Sequence, residues 1–153
     1  MATEIERKFL VRDEAWRGLA TGIACRQGYL STVRGRTVRV RTMGGRGFLT
    51  VKGFGTGASR PEYEYEIPVA DATALLAMCE QPLVEKVRYR IPRGDVVWEI
   101  DEFEGANRGL VVAEIELAAE NQAFALPEWI GAEVTGDPRY YNSSLVARPF
   151  SSW

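Results

Sequence analysis

Charged and apolar residues alternate with a period of two along most of this chain, the spacing of extended strands whose successive side chains point to opposite faces. Glu4, Glu6 and Lys8 fall on one parity, with Ile5, Phe9 and Val11 on the other. Arg39 and Arg41 oppose Val38 and Val40, and Thr50 and Lys52 oppose Leu49 and Val51. Glu62, Glu64 and Glu66 form one row; Lys86, Arg88 and Arg90 form another, facing away from Val87, Tyr89 and Ile91. Glu99 and Asp101 oppose Trp98 and Ile100, while Glu114 and Glu116 oppose Ala113, Ile115 and Leu117. The pattern predicts eight strands, over 4–11, 23–30, 37–43, 48–53, 61–67, 85–91, 95–103 and 111–118. MGGRG at 43–47 reads as a hairpin turn, and PRGD at 92–95 and FEGANRG at 103–109 turn the later strands. Helical spacing appears over 70–80 and 121–130, with a shorter candidate at 13–20. No linker or repeat divides the 153 residues. A chain of that length buries roughly 68–70% of its unfolded surface and needs no disulfide or metal staple to fold. The expected fold is α+β, a single domain over 1–153 dominated by antiparallel strands.

Two arrangements satisfy this alternation. One is an antiparallel sheet with a solvated face. The other is a barrel of eight strands closed with the charged faces inward. The faces are almost purely ionic and their signs are segregated by strand, so like charges on one face repel unless opposite charges lie between them. An inward arrangement supplies that geometry, with the cations free to clamp a polyanion and the glutamates free to hold hard divalent metals through oxygen. Alternation by itself leaves both arrangements open.

Composition narrows the chemistry further. The chain has no histidine, so any catalysis runs on carboxylates, lysines, arginines, tyrosines or a metal. Lys plus Arg is 19 against Asp plus Glu of 21, a net charge of −2 that lacks the basic footprint of a duplex-DNA binder; no nucleic-acid partner is expected. Cys25 and Cys79 form no CxxC pair and are expected to be buried free thiols of a reducing compartment. The N-terminal MATEIERKFLV offers no apolar signal core, and no window approaches the roughly 20 apolar residues of a membrane span; a cytoplasmic location away from any membrane is expected. GFGTGAS at 53–59 is glycine-rich, but a strand rather than a helix follows it, so it reads as a mobile loop and not as a phosphate cradle.

The segment Glu4-Ile5-Glu6-Arg7-Lys8-Phe9 resembles the N-terminal ExExK signature of the CYTH, or triphosphate tunnel metalloenzyme, superfamily. It is followed in order by VRVR at 38–41, TVKG at 50–53, EYEYEIP at 62–68, EKVRYR at 85–90, WEIDEF at 98–103, AEIEL at 113–117 and DPRYYNSSL at 137–145. The resemblance spans nearly the whole chain and is to the short, single-domain bacterial members. It implies an eight-stranded antiparallel β-barrel with a few flanking helices, whose tunnel binds a linear triphosphate with Mg²⁺ or Mn²⁺. Carried over position by position, Glu4, Glu6, Glu114 and Glu116 would be metal ligands. Lys8, Arg39, Arg41, Lys52, Lys86 and Arg88 would contact phosphate oxygens, and Glu62, Glu64 and Asp101 would be supporting lumen acids. Tyr29, Lys8 and Lys86 would act on the reaction itself, Tyr29 matching a tyrosine proposed as proton acceptor, with a structural aromatic beside the lumen as its other reading.

The activity implied is metal-dependent hydrolysis of inorganic triphosphate to pyrophosphate and phosphate. Class IV-type adenylate cyclase and thiamine triphosphatase are alternatives on the same fold, and a non-catalytic binder of polyphosphate or nucleotides is an alternative of another class. Arg90 and Glu66 are expected in salt bridges at the tunnel rim. Tyr63, Tyr65, Trp98 and Leu117, on the opposite parity, are expected to pack outward against helices or against a second copy of the chain in a homodimer.

Overall fold

The structure is a computed structural model that describes residues 3–153; the first two residues of the N-terminal segment and of the 1–153 domain lie outside it. All eight expected strands are present: β1 (Thr3–Val11), β2 (Ile23–Ser31), β3 (Arg36–Met43), β4 (Arg46–Gly53), β5 (Ser59–Ile67), β6 (Val84–Arg93), β7 (Val96–Phe103) and β8 (Val111–Glu116). They form one antiparallel sheet in the order β5-β4-β3-β2-β6-β7-β8-β1. The sheet closes on itself where β1 meets β5, with Thr3 opposite Pro61, Glu4 opposite Arg60 and Ile5 opposite Ser59. A ninth strand, β9 (Ile130–Glu133), then takes the β1 edge that β5 has left. Consecutive strands are joined by tight turns wherever glycine permits. The β3–β4 turn puts Gly44 and Gly45 at φ of 59° and 80°, the positive values that a two-residue hairpin requires.

Closure separates two faces. The outward apolar parity of β1 and β6–β8 is covered by residues 12–20 and 118–131, which bury Trp98, Trp16, Trp129, Ile100 and Ile115 in one cluster. Trp98 sits at its centre, edge-on to Phe9 at 5.5 Å and to Trp129 and Phe124 at 6.0 Å each. Helix α1 (Val69–Leu76) lies over β3 and β4, packing Ala72 and Leu76, with Cys79 just beyond its end, against Val40. Gly28 of β2 admits that approach, since a Cβ there would stand 2.6 Å from the Cβ of Cys79. A third cluster lies inside one end of the barrel. Tyr29, Val84, Phe103 and Val112 carry the same parity as the charged rows and meet Tyr140, Leu145 and Val146 of the C-terminal segment. Cys25 and Cys79 are both buried and free.

Three sequence expectations change. The 121–130 segment is irregular rather than helical, because Pro127 has no N–H to donate and disfavours helix at Leu126 before it. Its side chains act singly, Phe124 and Trp129 reaching the Trp98 cluster. The 13–20 segment keeps only a 3-10 turn at Arg17–Leu19, interrupted by Gly18, and serves to place Trp16, whose indole donates to the Asp13 carbonyl at 3.1 Å. Trp98 and Leu117 are buried by these loops rather than by helices, while Tyr63 and Tyr65 are 48% and 59% exposed. Among the described residues no helix is long and apolar enough to cross a membrane.

Trp98→Ala should therefore cost about 3–5 kcal/mol of stability, as emptying an aromatic site in a core does. Tyr63→Ala should cost roughly 0.5 kcal/mol or less, the usual figure for a surface position. Urea unfolding of the two variants checks this; equal losses would mean that the outer face is buried differently.

Candidate active site inside the barrel

Closing β1 on β5 turns one parity of every strand toward a shared interior. Glu4, Glu6, Lys8, Tyr29, Arg39, Arg41, Lys52, Glu62, Glu64, Lys86, Arg88, Glu114 and Glu116 line one cavity there, of about 220 Å³. Asp101 is the one expected site residue behind the wall, buried against Lys86 and Arg88. The apolar cluster around Val84 and Phe103 fills the barrel beyond Lys86, so the cavity is blind at that end. Exposure rises from 1% at the Lys86 side chain to 57% at Arg90 on the rim, where Arg90 stands 3.3 Å from Glu99. Glu66 is outside the cavity, in an exposed pair with Arg46 at 2.6 Å.

The segregated rows are partly relieved where an acidic row borders a basic one, as β7 does β6 and β5 does β4. Arg88 on β6 donates from Nε to Asp101 on β7 at 2.8 Å and from Nη2 to Glu114 on β8 at 3.0 Å. Lys86 is 2.8 Å from Asp101, and Lys8 is 3.5 Å from Glu114. Lys52 and Arg60 both reach Glu4, at 2.7 and 2.8 Å. Glu64 stands 3.4 Å from Arg39 and 3.5 Å from Arg41. These contacts fix the protonation of the inner acids. Against the upward push of burial, Arg88 and Lys86 hold Asp101 below the ordinary carboxylate range, and Lys8, Arg88 and Lys86 do the same to Glu114.

Two sets of groups are left without such relief. Glu6 and Glu116 face one another directly across β1 and β8, a like-charge pairing that costs energy, and neither forms an ion pair among the described residues. Burial, then Glu114 and Glu4, push Glu6 up to about 8; burial, then Glu4 and Glu99, also raise Glu116. On the opposite wall the Nε atoms of Arg39 and Arg41 are buried with no hydrogen-bond partner among the described residues. Burial, then the Arg39 and Arg88 guanidinium groups, hold Arg41 below its usual value. Glu6 and Glu116 have no cation in ion-pair contact among the described residues, and Glu64, though near Arg39 and Arg41, leaves their Nε donors unpartnered.

The donor set on the acidic wall fits a hard divalent cation, being all carboxylate oxygen with neither thiolate nor imidazole. Among the described residues no three acids converge into a complete metal cage. An ion such as Mg²⁺ needs only one or two carboxylates and fills its remaining positions with water or phosphate oxygen.

Several lining residues escape the sequence expectations. Arg60 shares the parity of Glu62 and Glu64, but Pro61 hides the true start of β5 at Ser59. Thr37, Met43 and the Tyr141–Ser143 segment also line the cavity. The last of these is irregular and carries no periodic signal.

The raised carboxyls give the metal-free protein a defined pH response. Glu6 at about 8 and Glu62 at about 7, the latter raised by burial and then by Glu4, keep protons in the folded state that an unfolded chain has lost. Their contribution is complete below the ordinary carboxylate value and is lost as pH rises through these folded values. In chelator-treated buffer the melting temperature should fall between about pH 5 and about pH 8, and Glu6→Gln should flatten part of the fall. A melting temperature that rises over this window would contradict the electrostatics described.

Comparison with known proteins agrees with this geometry. The CYTH domain model matches residues 2–149. An inorganic triphosphatase of Acetivibrio thermocellus is 53% identical over 154 residues, covering 100% of this chain and 99% of that one. An inorganic triphosphatase of Nitrosomonas europaea is 42% identical over 149 residues, covering 94% and 97%. The crystal structure of the inorganic triphosphatase NE1496 superposes with a TM-score of 0.63 at 37% identity, over 94% of this chain and 97% of that one. In sequence motif, barrel closure and inward charge, the chain belongs to the CYTH domain family.

Proposed function

We propose that this protein hydrolyses inorganic triphosphate to pyrophosphate and phosphate with the aid of a divalent metal, Mg²⁺ or Mn²⁺. The observation that carries the reading is the pairing of two unrelieved walls in one blind cavity: unpartnered Arg39 and Arg41 Nε groups on one side, Glu6 opposite Glu116 on the other. Relatives at 53% and 42% identity named inorganic triphosphatase support it.

Arg39, Arg41 and Arg88 supply planar guanidinium groups that grip phosphate oxygens, and Lys8, Lys52 and Lys86 add point charge. Because these cations are already held by Glu64, Glu114, Asp101 and Glu4, they meet the substrate with little reorganisation, which favours electrostatic stabilisation of charge developing in the transition state. Glu6 and Glu116, assisted by Glu4 and Glu114, would hold the metal. Bound there, a divalent ion would supply charge neutralisation for phosphate and orientation of water for in-line attack.

With no histidine in the chain, proton transfer falls to carboxylate or phenol. Glu62, held at about 7, is in the range where a carboxylate exchanges protons at neutral pH. Tyr29 presents its phenol to the cavity beside Lys8 and Arg39 while its ring is packed in the apolar cluster.

The test is phosphate release from tripolyphosphate, pyrophosphate, ATP and thiamine triphosphate with Mg²⁺ or Mn²⁺. Tripolyphosphate should be hydrolysed, with activity abolished by EDTA, and ATP should yield no cyclic AMP. Arg39→Ala and Lys86→Ala should each lower kcat/KM by roughly 10- to 100-fold, the span of a hydrogen bond to a charged group. Full turnover in chelator-treated buffer, or cyclic AMP as the product, would overturn the reading.

A further inference from the structure

The blind end of the cavity is floored by a piece of chain that belongs to no strand. Asp137 accepts from the Arg139 backbone N–H and opens a 3-10 turn at Pro138–Tyr140. After Asn142, a short helix, α2 (Ser144–Ala147), places Leu145 and Val146 in the apolar cluster. Tyr140 on one side and Leu145 on the other are buried, so the segment between them is pinned at both ends.

What this segment presents to the cavity is an amide. Asn142 Oδ1 accepts from Lys86 Nζ at 2.9 Å and from Gln27 Nε2 at 2.8 Å. Both donors come from residues almost wholly buried, at 1% and 0% exposure. Two donors converging on one oxygen settle the orientation of the amide. Its Nδ2 group, with two N–H donors, has no partner among the described residues, and Asn142 lines the cavity. The neighbouring Tyr140 carbonyl accepts from Lys8 Nζ at 3.2 Å, so the same short segment ties down both inner lysines.

The charge of this contact matters as much as its geometry. Lys86 already has one carboxylate, Asp101, at 2.8 Å. A second would cancel its positive field at the place where a phosphate must bind. A neutral acceptor holds the ammonium in position without that loss, and its other end offers donors of the right sign for an anion.

We propose that Asn142 is a substrate-positioning residue at the blind end of the cavity, its Oδ1 fixing the Lys86 ammonium and its Nδ2 donating to the terminal phosphoryl group of the bound triphosphate. The assignment rests on the triphosphatase reading above and adds to it a residue from outside the barrel strands. It makes the C-terminal segment part of the binding site rather than only a plug.

Asn142→Asp separates this role from a structural one. The aspartate keeps an oxygen for Lys86 and Gln27, so a residue that only anchors the segment tolerates it. The change replaces the two N–H donors by a negative charge facing the substrate. Asn142→Ser, which loses both contacts, serves as the second variant. Steady-state hydrolysis of tripolyphosphate with Mg²⁺ is measured alongside the melting temperature of each protein. The expected result is a KM raised roughly 10- to 100-fold in Asn142→Asp, the range for a lost hydrogen bond to a charged group, with an unchanged or higher melting temperature. Asn142→Ser should raise KM and lower kcat together, because Lys86 is then free to move. A folded Asn142→Asp protein with KM and kcat within about twofold of the parent would overturn the proposal, as would loss of the folded state in both variants. A parent protein that releases no phosphate from tripolyphosphate would instead overturn the triphosphatase reading itself.

Discussion

Arg88 ties three strands together: its guanidinium lies between Asp101 and Glu114 and within 3.3 Å of Glu99. A charge in that position is tolerated only when its partners are complete, because an unpaired buried ion costs several kcal/mol. The Arg88 group and its neighbours Lys86 and Lys8 are matched by Asp101 and Glu114, and this inner layer is nearly buried while still lining the cavity. Barrel closure is what makes it possible. Were the sheet open, the same rows would be solvated pairs of small worth.

Above that layer the matching stops. Glu6 and Glu116 oppose one another, and Arg41 is crowded by Arg39 and Arg88 with Glu64 at 3.5 Å in partial relief. The interior is thus graded, with neutralised charge at its base and two facing walls of opposite sign above. The lower layer stabilises and orients; the upper layer is the part with free energy to gain from a metal and a polyanion. The Asn142 amide belongs at the boundary, where a neutral group can hold a lysine without consuming its charge.

Much of this was legible in the alternation of residues. Every strand with a charged row is where the period of two puts it, and thirteen of the fourteen expected site positions line the cavity, Asp101 alone standing behind its wall. The misses have local causes. Arg60 lies beyond a proline that masks the start of β5, and β9 is four residues, too short to show a period. Pro127 defeats helix in a segment whose apolar spacing suggests it. Asn142 is neutral and sits in an irregular connection, so its importance comes only from tertiary contacts with Lys86 and Gln27. Alternation also does not tell a sealed end from an open one: Val84, Phe103 and Val112 share the parity of the charged rows, and only packing shows that they fill the barrel.

The central claim is that the two unrelieved walls are the two halves of one metal–triphosphate site. A crystal structure of the protein soaked with tripolyphosphate and Mn²⁺, the metal located by its anomalous scattering, tests it most directly. The account predicts Mn²⁺ against Glu6 and Glu116 and phosphate oxygens on Arg39 and Arg41 within the same cavity. Metal bound on the outer surface, or phosphate bound anywhere that leaves the Arg39 and Arg41 Nε groups unpartnered, would contradict it.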